Sequence, residues 1–306
     1  MTLSRLLVTL TTTDEDRRYL RERLPEVAVR FLGAAKPSPD DLNWAEAVLG
    51  NVKPPACLTE YPRIRWLHSP NVGLEAYDSV RAQCRDLEIT NTKGIVDDAV
   101  AEHALALLLA MTRSVPVLLS AQAQHRWDPA DSEVFPRTTI AGKTAHVLGY
   151  GAIARNLIGK LEAFGMRVSV YRRRVHGNDD RVNRFLALSQ LEHTIAEADV
   201  VFVLLPELKE TAGLINGRIL QAMRETAYLV NVGRGSTIDE RALTTALERR
   251  SLRGAALDVF TSEPLPGASP LWHLPNALIS PHVASRFDRL VRRQIESFVE
   301  RWKQLE

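Results

Sequence analysis

Cysteine, net charge and long apolar runs are all scarce in this chain of 306 residues. The two cysteines, Cys57 and Cys84, stand far apart, which excludes a close-spaced metal or redox motif and favours reduced thiols. A formal net charge of +2 argues against a nucleic-acid-binding protein. No apolar run approaches the roughly 18 residues of a membrane-spanning helix. The run Leu6–Leu10 shows neither a signal-peptide core nor a cleavage site, so we expect a cytoplasmic protein without a membrane partner or a metal.

Strand-like and helix-like segments alternate along the whole chain, which is typical of parallel α/β architecture. Four strands are predicted in the first third, at Leu6–Leu10, Val27–Leu32, Ala47–Leu49 and Ile64–His68. Six more are predicted after Gly142, at Thr144–Leu148, Val168–Tyr171, Val200–Leu205, Ala227–Val230, Gly254–Leu257 and Leu278–Ile279. These six strands and the helices between them indicate a doubly wound dinucleotide-binding domain. A final helix, about Ser285–Leu305, is expected to pack against the first domain.

A long apolar helix is predicted to begin near Asp97 or Asp98, either of which could cap it. Its apolar residues fall on nearly every side of the helix. The helix must therefore be buried in a core, between domains or at a subunit interface. Pro116 should end or kink it, because proline lacks the amide proton that a helix interior needs.

A glycine-rich turn connects a predicted strand to a predicted helix, with the sequence Gly149-Tyr150-Gly151-Ala152-Ile153-Ala154. This is the dinucleotide pattern Gly-x-Gly-x-x-Gly with alanine in the third place. Gly149 permits the tight turn, Gly151 lets the backbone approach a phosphate, and Ala154 allows close helix–strand packing. The first helical turn, with Ala152 and Ile153, would bind the pyrophosphate. An ordinary strand-turn-helix is the alternative, and the next strand at the expected distance disfavours it.

The next strand ends in three consecutive arginines, Arg172, Arg173 and Arg174. A site selective for NAD usually carries an acid there, about 20 residues past the glycines, which binds the ribose 2′-hydroxyl. Guanidinium groups would instead form charge-assisted bonds to a 2′-phosphate. The pattern favours NADP(H), with NAD(H) as the second choice. A solvated basic turn is the alternative without a function.

Three polar residues in later segments suit hydride transfer to a carbonyl group. His282 can donate a proton, because imidazole titrates near neutrality. Glu263 would stabilise the imidazolium, and Arg234 can bind a carboxylate and polarise the carbonyl. Singly, Arg234 could be a helix cap, Glu263 a solvated loop acid and His282 a core histidine. Together in one chain, they favour a catalytic site.

These residues resemble the D-isomer-specific 2-hydroxyacid dehydrogenase family over nearly the whole chain. The matching motifs lie in Gly142–Ala284, Ala99–His103 and Trp66–Ser69. With the alternating pattern, the resemblance implies an α/β protein with two Rossmann-like doubly wound domains. The dinucleotide-binding domain would span residues 98–284. A flavodoxin-like substrate domain would comprise residues 1–97 and 285–306.

The resemblance also assigns roles to individual residues. Arg234, Glu263 and His282 match the family's catalytic three, and the backbone amides of Val72 and Gly73 match a second contact for the substrate carboxylate. Further dinucleotide contacts are implied for Leu205, Pro206, Val232, Gly233, Asp258, His282 and Ala284. Closure of the two domains would assemble the site.

The implied activity is hydride transfer from NADPH to a small 2-oxo acid, which gives the D-2-hydroxy acid. In length the chain is more similar to the glyoxylate/hydroxypyruvate reductases than to longer family members. Two alternatives stay open, a dinucleotide-sensing co-repressor-like binding protein and a phosphite-type dehydrogenase. Glu263 argues against formate, since formate dehydrogenases have glutamine there. The resembled family pairs subunits through a helix like Asp98–Val115, so we expect a homodimer with contacts from Leu105, Leu108 and Leu109.

Overall fold

This computed structural model describes residues 3–127, 136–174 and 179–305. The strands of these residues form two parallel sheets. The strands are β1 (Arg5–Val8), β2 (Ala28–Phe31), β3 (Ala47–Leu49), β4 (Trp66–Ser69), β5 (Glu88–Asn91), β6 (Thr144–Leu148), β7 (Arg167–Arg172), β8 (Arg184–Ala187), β9 (Val200–Val203), β10 (Tyr228–Asn231), β11 (Gly254–Leu257) and β12 (Ala277–Ile279). The helices are α1 (Asp14–Arg23), α2 (Pro39–Trp44), α3 (Asp78–Gln83), α4 (Asp97–Thr112), α5 (Val115–Ala123), α6 (Ala152–Ala163), α7 (Leu191–Thr194), α8 (Gly217–Ala222), α9 (Glu240–Glu248) and α10 (Leu290–Leu305). The predicted α/β class is confirmed.

The chain divides into two compact units, Met1–Val96 with Arg286–Glu306, and Asp97–Ser285. The sheet of the first unit has the order β2-β1-β3-β4-β5, which is the flavodoxin-like order. Leu6, Leu7 and Val8 of β1 are all fully buried, as expected for a central parallel strand covered on both faces. Strand β5 is missing from the sequence prediction. It mixes polar and apolar residues and pairs with β4 alone, at the edge of the sheet.

The final helix, α10, packs on the core of the first unit, as predicted. Trp66 of β4 stacks on Phe298 of α10 with the ring centres 4.6 Å apart, and Trp302 packs against the same indole. The predicted start at Ser285 is wrong, because the helix begins at Leu290. Arg289 has a left-handed φ of 60°, which cannot continue a right-handed helix toward the N-terminus.

The second unit contains a seven-stranded sheet in the order β12-β11-β10-β9-β6-β7-β8 within the described residues. Counted from β6 as the first strand, the order from the β8 edge is 3-2-1-4-5-6 with one further strand, as in dinucleotide-binding domains. The order reverses between β6 and β9, so ligands should bind at the carboxyl ends of these strands. The prediction of six strands is wrong. The prediction omitted strand β8, because this edge strand is only partly buried and lacks the continuous apolar run of a central strand.

The apolar helix α4 ends at Thr112, and Ser114, in a left-handed conformation with φ of 58°, separates it from α5. Pro116 lies in the first turn of α5, where proline is tolerated, so the predicted end or kink is confirmed. Among the described residues no single helix is long and apolar enough to cross a membrane. Helices α4 and α5 meet that criterion only as a pair, and this pair is bent by 67°.

Helix α4 packs within its own unit, against α6, β10 and β11. Leu105 is 8% exposed and Leu108 is 0% exposed. Both side chains are therefore already covered by other residues of the same chain. The prediction that these two leucines contribute to subunit contacts is therefore wrong. An all-round apolar helix does not reveal in its sequence whether its own chain or a second subunit covers it. The exposed apolar side chains of this region lie on α5 instead, at Val115, Leu118 and Leu119.

Candidate active site

Gly149 directly follows β6 and has a φ of 106°, which only glycine adopts without strain. Its amide nitrogen donates to the carbonyl oxygen of Tyr171 at 2.8 Å, which ties the turn to β7. A Cβ atom at this position would lie 2.9 Å from the carbonyl oxygen of Leu204, beyond the end of β9. Both the backbone conformation and this close approach therefore require glycine.

Gly151 is the N-cap of α6, and no side chain caps the helix there. Apart from its chain neighbours, no atom of the described residues lies within 4 Å of the place that a Cβ of Gly151 would take, so the start of the helix borders open space. The amides of the first turn, including those of Ala152 and Ile153, have no acceptor inside a helix. Ala154 is fully buried, consistent with close packing of the helix on the sheet. This cradle fits an anionic group such as a pyrophosphate.

The other residues predicted to contact the dinucleotide follow the carboxyl ends of β9 to β12. They are Leu205, Pro206, Val232, Gly233, Asp258 and Ala284. Because the strands are parallel, these positions and the turn at Gly149 share one edge of the sheet. Leu205 is buried and Pro206 is exposed. The contacts of these residues with a dinucleotide stay a prediction.

Arg172 is the last residue of β7, and its guanidinium lies 5.1 Å from the ring centre of Tyr150 in the glycine turn. Arg173 and Arg174 are exposed. The sequence shows no acid near this strand end, but the fold brings one to the turn, since the Tyr150 hydroxyl donates to Asp179 at 2.8 Å. Hydrogen bonds from Arg181 and from Tyr150 lower the pKa of Asp179 to about 2. The Asp179 carboxylate is therefore ionised at neutral pH, and Arg181 pairs with it.

The turn that carries Arg234 is fixed by Asn231, which the sequence-based prediction did not assign a role. The Asn231 side-chain amide donates to the carbonyl oxygen of Arg234 at 3.0 Å, and its oxygen accepts from the amide of Gly233 at 3.1 Å. A Cβ on Gly235 would overlap the carbonyl carbon of Phe260, so only glycine fits between the two loops. Arg234 itself donates to the carbonyl oxygen of Gly233 at 2.8 Å. The turn is thus rigid and lies against the loop that leads to Glu263.

Glu263 and His282 form a hydrogen-bonded pair. Nδ1 of His282 lies 2.6 Å from Oε2 of Glu263, which as a carboxylate can only accept. The other oxygen, Oε1, accepts from the backbone amide of Phe260 at 3.0 Å and so fixes the carboxylate. With Nδ1 engaged, Nε2 is the ring nitrogen available for a substrate. The His282 side chain is 51% exposed, so solutes can reach it.

Asp258 is buried directly behind this pair and holds the backbone around His282. Its carbonyl oxygen accepts from the amide of His282 at 2.8 Å, and its carboxylate accepts from the amides of Val283 and Ala284, both at 3.0 Å. His282 is thereby held at a left-handed φ of 51°. Burial raises the pKa of Asp258, but hydrogen bonds from His103, Ser280 and the two amides outweigh it and lower the pKa below its usual value.

His103 of α4 completes this network from a distant part of the sequence. Its Nε2 lies 3.0 Å from Oγ of Ser280 and 3.4 Å from Oδ1 of Asp258. Ser280 in turn donates to Asp258 at 2.6 Å. A histidine in a buried helix gives no sequence signal for these partners, because they lie more than 150 residues later in the chain.

The three predicted catalytic residues line one pocket of the second unit. Arg234, Glu263 and His282 surround a volume of about 300 Å³. The remaining lining residues are Glu207, Gly235, Ser236, Val259, Phe260 and Thr261. A cation, a carboxylate and an imidazole thus share a cavity large enough for a small organic acid.

Val72 and Gly73 lie in the first unit, in the turn after β4. The carbonyl oxygen of Pro70 in this turn accepts from the Thr92 hydroxyl at 2.8 Å and from the Gln294 side chain at 3.1 Å. These bonds hold the turn, while the contact of its amides with a substrate carboxylate stays a prediction. In the described part of the chain, no group of three or more His, Cys, Asp or Glu residues is placed to hold a metal ion.

The known family with this arrangement also matches by sequence. The model of the D-isomer specific 2-hydroxyacid dehydrogenase, NAD binding domain, matches residues 105–284, which is more than half of the chain. This chain belongs to the D-isomer-specific 2-hydroxyacid dehydrogenase family. The predicted resemblance is confirmed, and the matched range contains Arg234, Glu263 and His282. The members of this family are named as D-isomer specific 2-hydroxyacid dehydrogenases.

Relatives within the 2-hydroxyacid dehydrogenase family carry different specific names. A glyoxylate reductase from Thermofilum pendens is 33% identical over 225 residues, which cover 73% of this chain and 66% of that protein. A D-3-phosphoglycerate dehydrogenase from Synechocystis sp. is 34% identical over 215 residues, which cover 70% of this chain but 38% of that protein. The chain therefore spans less than two thirds of the length of either relative.

A solved structure of the same family covers both units of the chain. It is the NADPH-dependent glyoxylate/hydroxypyruvate reductase from Sinorhizobium meliloti in complex with NADP and malonate. It is 29% identical, has a TM-score of 0.79, and the match covers 97% of this chain and 92% of that one.

Proposed function

We propose that this enzyme uses NADPH to reduce a small 2-oxo acid to the D-2-hydroxy acid. The observation that carries the proposal is the Glu263–His282 pair, with Arg234 on the wall of the same pocket. The bound dinucleotide would supply the hydride. The glycine turn at Gly149 and Gly151 and the residues along the same sheet edge would hold it.

His282 would act as the proton donor to the substrate's carbonyl oxygen. Its Nδ1 is engaged by Glu263, so the proton leaves from Nε2, and the nearby carboxylate stabilises the imidazolium before transfer. Arg234 would bind the substrate carboxylate and polarise the carbonyl. The amides of Val72 and Gly73 would supply a second carboxylate contact from the first unit.

The preference for NADP(H) over NAD(H) rests on Arg172, Arg173 and Arg174 at the end of β7. Their guanidinium groups would form charge-assisted bonds to the 2′-phosphate. The similar structure from Sinorhizobium meliloti binds NADP, which supports the same choice here. Arg172→Asp should reverse the ratio of kcat/KM for NADPH and NADH by one to several orders of magnitude, since one such bond contributes about 1.5–3 kcal/mol. Wild-type enzyme that used NADH at least as well as NADPH would refute this preference.

Two other functions would share most of the fold. A dinucleotide-sensing binding protein needs no proton donor, so the close Glu263–His282 pair favours an enzyme. A phosphite dehydrogenase would use a similar site. NADPH oxidation, followed by absorbance with glyoxylate, hydroxypyruvate and a bulkier 2-oxo acid, separates these possibilities. We expect turnover of at least one 2-oxo acid to its D product. Cofactor binding without turnover would favour the sensor, and reduction of NADP⁺ by phosphite alone would favour the third function.

We also propose a homodimer, because exposed apolar side chains cluster on α5 at Val115, Leu118 and Leu119. Sedimentation equilibrium measures the state directly. Leu119→Arg is the suitable disruptive variant, since Leu119 is 59% exposed, whereas Leu108→Arg would place a charge inside the protomer's own core. A wild-type monomer at micromolar concentration would refute the dimer.

A further inference from the structure

Tyr150, the residue between the two glycines of the turn, makes contacts that a spacer in such a motif does not need. The guanidinium carbons of Arg172 and Arg155 lie 5.1 Å and 5.8 Å from its ring centre. Phe185 of β8 packs edge-on against the same ring, with centres 5.2 Å apart at 88°. The tyrosine hydroxyl donates to Asp179 at 2.8 Å. One half-buried side chain thus contacts two cations and the carboxylate of Asp179.

Asp179 is locked by four hydrogen bonds. Oδ1 accepts from the backbone amide of Arg181 at 3.2 Å and from its Nε at 2.8 Å. Oδ2 accepts from Nη2 of Arg181 at 2.8 Å and from the Tyr150 hydroxyl at 2.8 Å. A carboxylate has about four lone-pair sites, so all of its acceptor capacity is used. Asp179 therefore has no acceptor left for the ribose 2′-hydroxyl, which is the group that an acid in this region binds in NAD-selective sites.

The ring of Tyr150 holds the arginines in a way that suits an anionic ligand. A guanidinium over an aromatic face is attracted by the quadrupole of the ring and loses rotamer freedom. Unlike a carboxylate partner, the ring adds no negative charge that would cancel the field of the cations. Arg155, in the first turns of α6, thereby joins Arg172 at a site where the sequence predicts only the β7 arginines.

We propose that Tyr150 determines dinucleotide specificity in two ways. Its ring positions Arg172 and Arg155 for a 2′-phosphate. Its hydroxyl occupies the last acceptor site of Asp179. This inference rests on the proposed NADPH-dependent function. It assigns the choice between the two cofactors to a residue inside the glycine turn as well as to the strand end.

The test compares Tyr150→Leu, which removes the ring, with Tyr150→Phe, which keeps the ring and removes the hydroxyl. The probes are adenosine 2′,5′-bisphosphate and 5′-AMP, which differ in the 2′-phosphate, and binding is measured by calorimetry. Tyr150→Leu should weaken binding of the bisphosphate roughly two- to thirty-fold, which is the range of one cation–π contact. It should weaken binding of 5′-AMP less than about twofold. Equal losses for both probes, or no loss at all, would overturn the role of the ring.

Tyr150→Phe should bind the bisphosphate within about twofold of wild type and bind NADH more tightly, because one acceptor site of Asp179 becomes available. Unchanged or weaker NADH binding would overturn the role of the hydroxyl. The loss caused by Tyr150→Leu should shrink in an Arg172→Ala background and disappear when Arg155→Ala is added, which a merely structural effect of the ring would not do. A full loss in that background contradicts action through Arg172. Should the leucine variant melt early, Tyr150→Met repeats the comparison with a longer, unbranched side chain.

The wild-type measurement separates the two proposals. Wild-type protein that bound the bisphosphate no better than 5′-AMP would refute the proposed NADP preference itself. A wild-type preference that survived both Tyr150 variants would refute only the role of Tyr150.

Discussion

Replacing Gly235 with alanine should uncouple the proposed catalytic residues without touching any of them. The added Cβ would overlap the carbonyl carbon of Phe260 and lie 2.5 Å from the amide nitrogen of Thr261. Ordinary contacts between such atoms are about 3.5 Å long, so the two loops must separate by roughly 1.5 Å. The Phe260 amide fixes the carboxylate of Glu263 at 3.0 Å, and this carboxylate pairs with His282 at 2.6 Å. Moving Phe260 should therefore also move Glu263 and the proposed proton donor, His282.

A misplacement of this size costs on the order of 10²-fold in kcat. We expect that loss for Gly235→Ala, with a smaller effect on NADPH binding, because the glycine turn proposed to hold the pyrophosphate follows a different strand, β6. Overpacking should also lower the stability by about 1–3 kcal/mol. The assay is steady-state NADPH oxidation with the best 2-oxo acid, together with a thermal melt. Gly267→Ala is the matched control, since in the described part of the chain only its sequence neighbours lie within 4 Å of its added Cβ. A Gly235→Ala enzyme with wild-type kcat and melting temperature would refute the reasoning.

Three further outcomes follow from the same geometry. Glu263→Gln should lower kcat, because an amide cannot stabilise the imidazolium of the proton donor, and an unchanged kcat would remove Glu263 from this role. Asn231→Ala removes both bonds that hold the Arg234 turn, so KM for the 2-oxo acid should rise about tenfold, and an unchanged KM would count against Arg234 as the carboxylate ligand. Burial lowers the pKa of His68 and of His146 to about 4 from 6.5. Below pH 6.5 the unfolded chain therefore binds more protons than the folded protein. The free energy of unfolding has its full value above that pH and decreases as the pH drops toward 4. At pH 5 the loss should be about 2 kcal/mol for each histidine. Equal free energies of urea unfolding at pH 7 and pH 5 would contradict this last outcome.

The sequence predicts the central strands, the glycine turn and the three polar residues because each has a local signal. Strands such as β6 and β11 are continuous buried runs, and their predicted bounds agree with the structure. The edge strands β5 and β8 have no such run, because only pairing with a neighbouring strand defines them. Helix α4 shows the other limit, since its apolar pattern is the same whether its own chain or a second subunit covers Leu108.

The residues that position the site act through long-range contacts, so their roles could not be predicted from the sequence. His103 meets Ser280 across 177 residues, and Asp179 meets Tyr150 across 29. Asn231 has a local partner, but its hydrogen bonds appear only when the turn after β10 is formed. The chemistry of the candidate site could therefore be predicted from motifs, whereas the network that fixes its geometry could not.

The most direct test of the central claim is the rate of NADPH-dependent reduction of glyoxylate or hydroxypyruvate by the wild-type enzyme and by His282→Ala. We predict measurable turnover for the wild type, a kcat lower by roughly 10²–10⁴-fold for the variant, and NADPH binding close to normal in both. His273→Ala, which changes an exposed histidine outside the pocket, should keep wild-type kcat. Turnover by His282→Ala at the wild-type rate would contradict the claim that His282 donates the proton.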